Sequence, residues 1–316
     1  MNPAAAARLR DVAPILTLIL LVLVVGIGSR GFLSPETLLV LAADTSTLFI
    51  MAAGITFVIL LGGIDLSVQA VASMSSVVMA LLLPSLGYGA FPAALAAGAL
   101  LGLANGMAFT RLRVPSFISS LAVGGIATAL ALAFSGTRSI PISEELRHAY
   151  LWWITGRMLG IPAEIWLGLI VLAICLFAER YTLFGRWSLA VGAGEPAAVA
   201  SGVPVALVKL LACVASATLA AFAGMVLGGR LVAGSPTLAN EFLLPAVAAV
   251  VVGGTALTGG VGSVWRTLIG ALIVSVVRVG MTFLGVDVFV QQIVLGIVLI
   301  LAVWITIDRA KIPIVK

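Results

Sequence analysis

Apolar residues run along this chain in long blocks rather than in alternation with polar ones. Ten blocks can be set off, at residues 13–29, 38–61, 67–84, 92–110, 116–136, 162–178, 207–228, 242–260, 265–284 and 288–306. A helix crossing the hydrocarbon core needs about 20 mostly apolar residues, so each block predicts a transmembrane helix. A membrane β-barrel would instead require short segments of alternating polarity, which these blocks lack.

Composition sharpens the picture: 62% of the 316 residues are hydrophobic and 9% are charged, so no sizeable soluble domain fits between the blocks. The whole chain, 1–316, is predicted to be one all-α, polytopic membrane domain. Its 34 glycines point to closely packed helices, since helices in lipid associate where small residues let backbones approach. Cys175 and Cys213 both fall within apolar blocks and read as small core residues. Arg8 and Arg10 precede the first block as they would in a signal peptide, but many spans follow, so that block is kept as the first membrane helix.

Charge sets the orientation. With the N-terminus inside, the inward segments hold Arg8, Arg10, Arg111, Arg113, Arg180, Arg186, Lys209, Arg266, Arg309, Lys311 and Lys316. The outward segments hold only Arg30, Arg138, Arg147, Arg157 and Arg230. Cations collect on cytoplasmic loops, so both termini are predicted to be cytoplasmic. The net charge of +5 follows from the same rule and needs no nucleic acid partner.

Two loops are long enough for a task of their own. The outward one, 137–161, mixes Glu144, Glu145, Arg147 and His148 with Tyr150, Trp152 and Trp153, which suits either an interfacial tie between helices or a docking surface. The inward loop, 179–209, contains Gly194-Glu195-Pro196-Ala197-Ala198-Val199-Ala200-Ser201-Gly202. An acid at the positive end of the dipole, proline in the first turn, alanines and a closing glycine predict a short helix. It is too short to cross a membrane and marginal alone, so it is expected either to lie on the bilayer or to gain stability from a groove on another protein.

Glycine pairs interrupt the apolar blocks twice, at Gly62-Gly63 before Ile64-Asp65-Leu66-Ser67 and at Gly253-Gly254. Both fall on helices running inward and are candidate moving parts around a pathway, because broken helices are tolerated where they face protein or water. Asp65 is expected to cap the helix beginning at Ser67. Asp44 and Arg278 are ionisable groups at membrane depth; they are expected to pair, to line a polar cavity, or, for Arg278, to snorkel. Asn105, Ser119, Ser120, Gln291 and Gln292 offer uncharged hydrogen-bonding groups, suited to a neutral polyhydroxylated solute or to bonds between helices.

Several chemistries are disfavoured. One histidine, His148, cannot build a histidine metal cluster or a Ser-His-Asp triad. The Gly254-to-Gly259 spacing lacks the Lys-Ser/Thr of a phosphate loop, so no nucleotide or other cofactor is expected on this chain.

Taken together, Gly62-Gly63-Ile64-Asp65-Leu66-Ser67-Val68, Asn105-Gly106, Val114-Pro115-Ser116-Phe117-Ile118, Ile140-Pro141-Ile142, Phe184-Gly185-Arg186, the 195–202 helix and 250–262 resemble the permease subunits of bacterial ATP-binding-cassette importers for monosaccharides. The resemblance spans nearly the whole chain in family order. It implies a type II importer fold of about ten helices, a homodimer in the bacterial inner membrane, a cytoplasmic ATP-binding subunit and a periplasmic solute-binding protein. Residues Glu195 to Gly202 then correspond to the coupling helix, and Asp44, Gly62, Gly63, Asp65, Asn105, Phe117, Gly253 and Gly254 are pathway or hinge candidates. Gln69, Gly194 and Leu243-Leu244-Pro245 depart from the family pattern, which weakens the transfer of any one sugar. The alternatives are a related permease for a quorum-signal sugar, nucleoside or branched-chain amino acid, and an ion-coupled secondary carrier.

Overall fold

The computed structural model describes residues 3–29 and 31–306. Of the cations that set the orientation, Arg30, Arg309, Lys311 and Lys316 lie outside the described residues, as do the side chains of Arg8 and Arg10.

Every apolar block contains a helix. In chain order these are α1 (Pro3–Gly28), α2 (Pro35–Leu60), α3 (Val68–Leu86), α4 (Ala90–Thr110) and α5 (Ser116–Ser135); then, after two short helices of the outward loop, α6 (Glu144–Tyr150) and α7 (Trp152–Thr155), come α8 (Ala163–Tyr181), α9 (Leu183–Ala193), α10 (Glu195–Ala200), α11 (Val205–Arg230), α12 (Leu243–Val252), α13 (Val264–Phe283) and α14 (Val288–Thr306). Among the described residues, five stretches qualify as spans by length and hydropathy, and a sixth if α8 and α9 count as one. One of the five, Val68–Thr110, holds both α3 and α4. These two lie side by side: the Ser75 hydroxyl on α3 donates to the Ala94 carbonyl on α4 at 3.4 Å.

At the centre stands α11, packed against α2, α3 and α4. Gly98, Gly102 and Gly106 form one stripe of α4, four residues apart, and a Cβ on Gly102 would fall 2.7 Å from the Ala217 Cβ and from the Cys213 carbonyl. On the α3 side, a Cβ on Gly224 would fall 2.0 Å from the Ala72 carbonyl. Backbones therefore touch along α11, which is how helices gain dispersion contact without a hydrophobic drive from lipid. Cys175 and Cys213 are free and buried, as expected of core residues.

As the Gly253-Gly254 interruption predicts, the block at 242–260 is not one continuous span. Its helical part is α12, ten residues long, followed by irregular backbone at 253–263. Before it, residues 235–242 form turns rather than helix. The unwound backbone is satisfied by α3, whose Ser76 hydroxyl accepts from Ser235 N–H at 3.2 Å and whose Ser73 hydroxyl accepts from Ala239 N–H at 3.0 Å. Ser73 and Ala239 are fully buried. Ser73→Ala would strand the Ala239 N–H and is expected to cost about 1–3 kcal/mol. Thermal unfolding of the detergent-solubilised protein measures this, and an unshifted midpoint would show that the segment is held by other means.

The outward loop is a folded cap. Its strand β1 (Ile140–Pro141) pairs antiparallel with β4 (Ala233–Gly234), while β2 (Arg157–Met158) pairs with β3 (Ile161–Pro162). Leu151 and Ile154 are buried under it. Trp152 donates its indole N–H to the Tyr88 hydroxyl at 2.9 Å, and Trp153 meets Phe91 edge-on at 4.9 Å. The aromatic residues thus pin the loop to the outer ends of α3 and α4, as the tie between helices requires.

Candidate functional site

The inward loop holds more helix than its sequence suggests. The last turn of α8 bends by 67° at Thr182 into α9. Gly185 lies in that bend, where a Cβ would fall 2.0 Å from the Glu179 carbonyl. The buried Glu179 carboxylate accepts from Val264 N–H at 2.7 Å, so the end of α8 caps the start of α13 with charge at the positive end of its dipole.

Directly after α9 comes α10, as predicted from its proline and glycine signals. Its C-terminus is closed by a Schellman motif: Val203 N–H donates to the Ala198 carbonyl and Gly202 N–H to the Val199 carbonyl, both at 3.0 Å. Gly202 makes this possible with φ +79°, a left-handed conformation that costs glycine nothing. Ser201 donates its hydroxyl to the Ala197 carbonyl at 2.9 Å. Only Ala198 is buried, 4% exposed and part of the main core; Glu195, Pro196, Ala197, Val199 and Ala200 are exposed. Glu195 accepts from Lys209 Nζ at 2.7 Å, and that ammonium also sits 4.8 Å above the Phe109 ring, bracing α10 against α11 and α4. A groove of about 510 Å³ opens beside it, lined by Thr110, Arg113, Pro115, Glu195 and Lys209 among others.

The two glycine elements meet at the base of this helix. Gly260 N–H donates to the Leu60 carbonyl at 2.9 Å, joining the 253–263 segment to the end of α2. Gly192, on the last turn of α9, is pressed into this junction: a Cβ there would fall 1.9 Å from the Leu60 carbonyl and 2.3 Å from Gly260 N. Gly62 lies against the Thr258 carbonyl. Gly253 and Gly254 follow the end of α12, with Gly253 against the Arg266 carbonyl. Three pieces of backbone, from α2, α9 and the 253–263 segment, are therefore in contact with no side chain between them. Sequence reading singled out Gly62 of this junction but not Gly192, whose partners are backbone atoms far away in the chain; Gly253 lies against Arg266, outside the junction.

The other candidates are dispersed. Asp65 is buried, and its Oδ1 accepts from Ser67 N–H at 2.9 Å and from the Ser67 hydroxyl at 2.6 Å. It therefore fixes the residue that precedes α3, close to the capping role expected. Asn105 is buried and accepts from the Ser119 hydroxyl at 2.7 Å, a bond from α4 to α5. Phe117 is half exposed on the first turn of α5.

Asp44 does not pair with Arg278, one of the three arrangements given above. Its carboxylate accepts from Arg230 at the outer end of α11, and Glu164 stands 3.9 Å from the same guanidinium. Arg278 instead lies over the Phe242 ring at 5.3 Å. The reason is placement: Arg230, assigned to a loop by sequence, is still helical and turns back toward α2.

Comparison with known proteins agrees with this architecture. The family model described as branched-chain amino acid transport system / permease component matches residues 37–303. The ribose import permease RbsC of Bacillus subtilis (strain 168) is 36% identical over 96% of this chain and 94% of its own. The L-arabinose ABC transporter permease AraH of Azospirillum brasilense is 34% identical over 86% and 80%, respectively. The probable ABC transporter permease YphD of Escherichia coli (strain K12) is 33% identical over 94% and 89%. A family match over most of the chain, relatives aligned nearly end to end and a bundle of apolar helices together place the protein in the permease family of ATP-binding-cassette transporters, as a multi-pass protein of the bacterial inner membrane.

Proposed function

We propose that this chain is the membrane-spanning subunit of an ATP-driven importer carrying a monosaccharide, a ribose-like pentose or a hexose, from periplasm to cytoplasm. The observation that carries the reading is α10: a two-turn helix seated by one alanine, exposing the rest of its surface, and joined through Gly192 to the backbone of α2 and of the 253–263 segment. The ribose and L-arabinose permeases among its relatives support a sugar as the solute.

In this reading the chain crosses the membrane ten times with both termini in the cytoplasm, in keeping with the cation asymmetry. Two copies enclose one pore, and hydrolysis takes place on a separate ATP-binding subunit. A solute-binding protein delivers the sugar to the outer face, where the 137–161 cap stands. Closure of the ATP-binding pair displaces α10, and the side-chain-free junction at Gly192 passes that displacement to α2 and α12 without loss in flexible side chains. Nucleotide and binding protein shift the equilibrium by as much as each prefers one state.

Reconstitution with the ATP-binding subunit and the solute-binding protein tests this directly. ATP-dependent accumulation of a labelled pentose or hexose is expected, competed by other monosaccharides and not by leucine or a nucleoside. Uptake that survives without the ATP-binding subunit and collapses with an uncoupler would instead identify an ion-coupled carrier.

A further inference from the structure

We infer that the break before α12 forms a station on the solute pathway, where Gln69, Asn240, Glu241 and Gln292 hold a neutral polyhydroxylated solute and turn anionic ones away. The inference rests on the chain being a sugar permease and adds the place and the charge selectivity of contact.

Depth comes first. The ten residues of α12 span about 15 Å, half of a hydrocarbon core of about 30 Å. Its inner end runs into the 253–263 segment, which touches Leu60 and Gly192 at the base of α10. Asn240 and Glu241, just before its outer end, therefore lie near mid-membrane. Both are exposed on the surface of the described chain. A carboxylate against lipid at this depth is costly, and non-helical backbone is tolerated there only beside protein or a water-filled cavity.

A cavity is present at this place. About 320 Å³ lies between this break, the first turn of α3 and α14, within the range of about 300–1,000 Å³ typical of small-ligand sites. Its lining joins the amides of Gln69, Asn240 and Gln292 and the carboxylate of Glu241 to Leu243 and Leu299. Amides both donate and accept, which matches hydroxyls of either sense. Among the described residues Glu241 is the one charge in the lining, so a sugar phosphate or sugar acid meets repulsion there that a neutral sugar does not. The neighbouring cation, Arg278, lies within electrostatic reach of Glu241 and weakens that repulsion, but it is set on the Phe242 ring rather than in the lining.

The test uses the assembled complex with Asn240→Cys, with the wild-type complex as background because Cys175 and Cys213 are buried. A cationic, water-soluble methanethiosulfonate is expected to modify Asn240→Cys in at least one nucleotide state. Excess monosaccharide should slow modification about tenfold, and the corresponding sugar acid should not slow it. Gln69→Ala and Gln292→Ala are each expected to cut uptake about tenfold while basal ATP hydrolysis persists, the loss of one or two net hydrogen bonds. Lack of modification in every nucleotide state, or equal protection by the sugar acid, overturns the station. Modification slowed by another neutral solute but by no sugar keeps the station and overturns the sugar reading alone.

Discussion

Gly192→Ala is expected to reduce ATP-driven uptake at least tenfold and to lower the thermal stability of the permease. An added Cβ would lie 1.9 Å from the Leu60 carbonyl and 2.3 Å from Gly260 N, both main-chain atoms. Overpacking of a well-packed interior costs about 1–3 kcal/mol when side chains can adjust, and here the atoms that must move belong to backbone, which places the change at the upper end. The Gly260–Leu60 hydrogen bond sits in the same junction and would lengthen or break. Uptake into proteoliposomes and a thermal melt of the solubilised complex measure the two effects. Wild-type transport by Gly192→Ala would remove the junction from the coupling route.

Ala197→Trp and Ala198→Trp are expected to fail in different ways, although they are adjacent. Ala197 is exposed on α10, so a tryptophan there leaves the permease folded and obstructs whatever binds that surface. The expected result is a melting temperature close to wild type, with at least tenfold less ATP-binding subunit retained on co-purification. Ala198 is 4% exposed and belongs to the core, so tryptophan at that position must drive α10 off its seat. Destabilisation of the permease itself by about 3 kcal/mol is expected, before any partner is added. Full retention of the ATP-binding subunit with normal uptake by Ala197→Trp would exclude α10 as the contact that couples hydrolysis to transport.

The helices were legible because lipid demands long apolar blocks, and α10 because Glu195, Pro196 and Gly202 carry local helix signals that do not depend on the rest of the chain. The break after α12 was legible in Gly253-Gly254, but the break before it, at 235–242, was not, because hydropathy reports solvent, not backbone conformation. What permits the break is Ser73 and Ser76, more than 150 residues upstream, which supply the hydrogen bonds a helix would otherwise make. The α9 helix was read as loop because it is short and carries Arg186 and Trp187 amid small residues. The partner of Asp44 was left open in the sequence, which gives depth but not azimuth; the arginine it meets is Arg230 at the end of α11. Among the candidate hinges, glycines were readable as interruptions, but which backbone each would meet depends on folding.

The glycine stripe on α4 also determines which parts can move separately. Where Gly98 and Gly102 bring α4 onto α11, and Gly224 brings α3 onto the same helix, the nearest atoms are main chain, alanine Cβ and one valine, with little rotamer freedom to absorb sliding. A displacement entering at Val205, three residues past the Schellman turn, must therefore carry these three helices as a single block. The same push also reaches α2 and the 253–263 segment through Gly192, so the transport stroke loads a stiff slab and the short α12 strut at once.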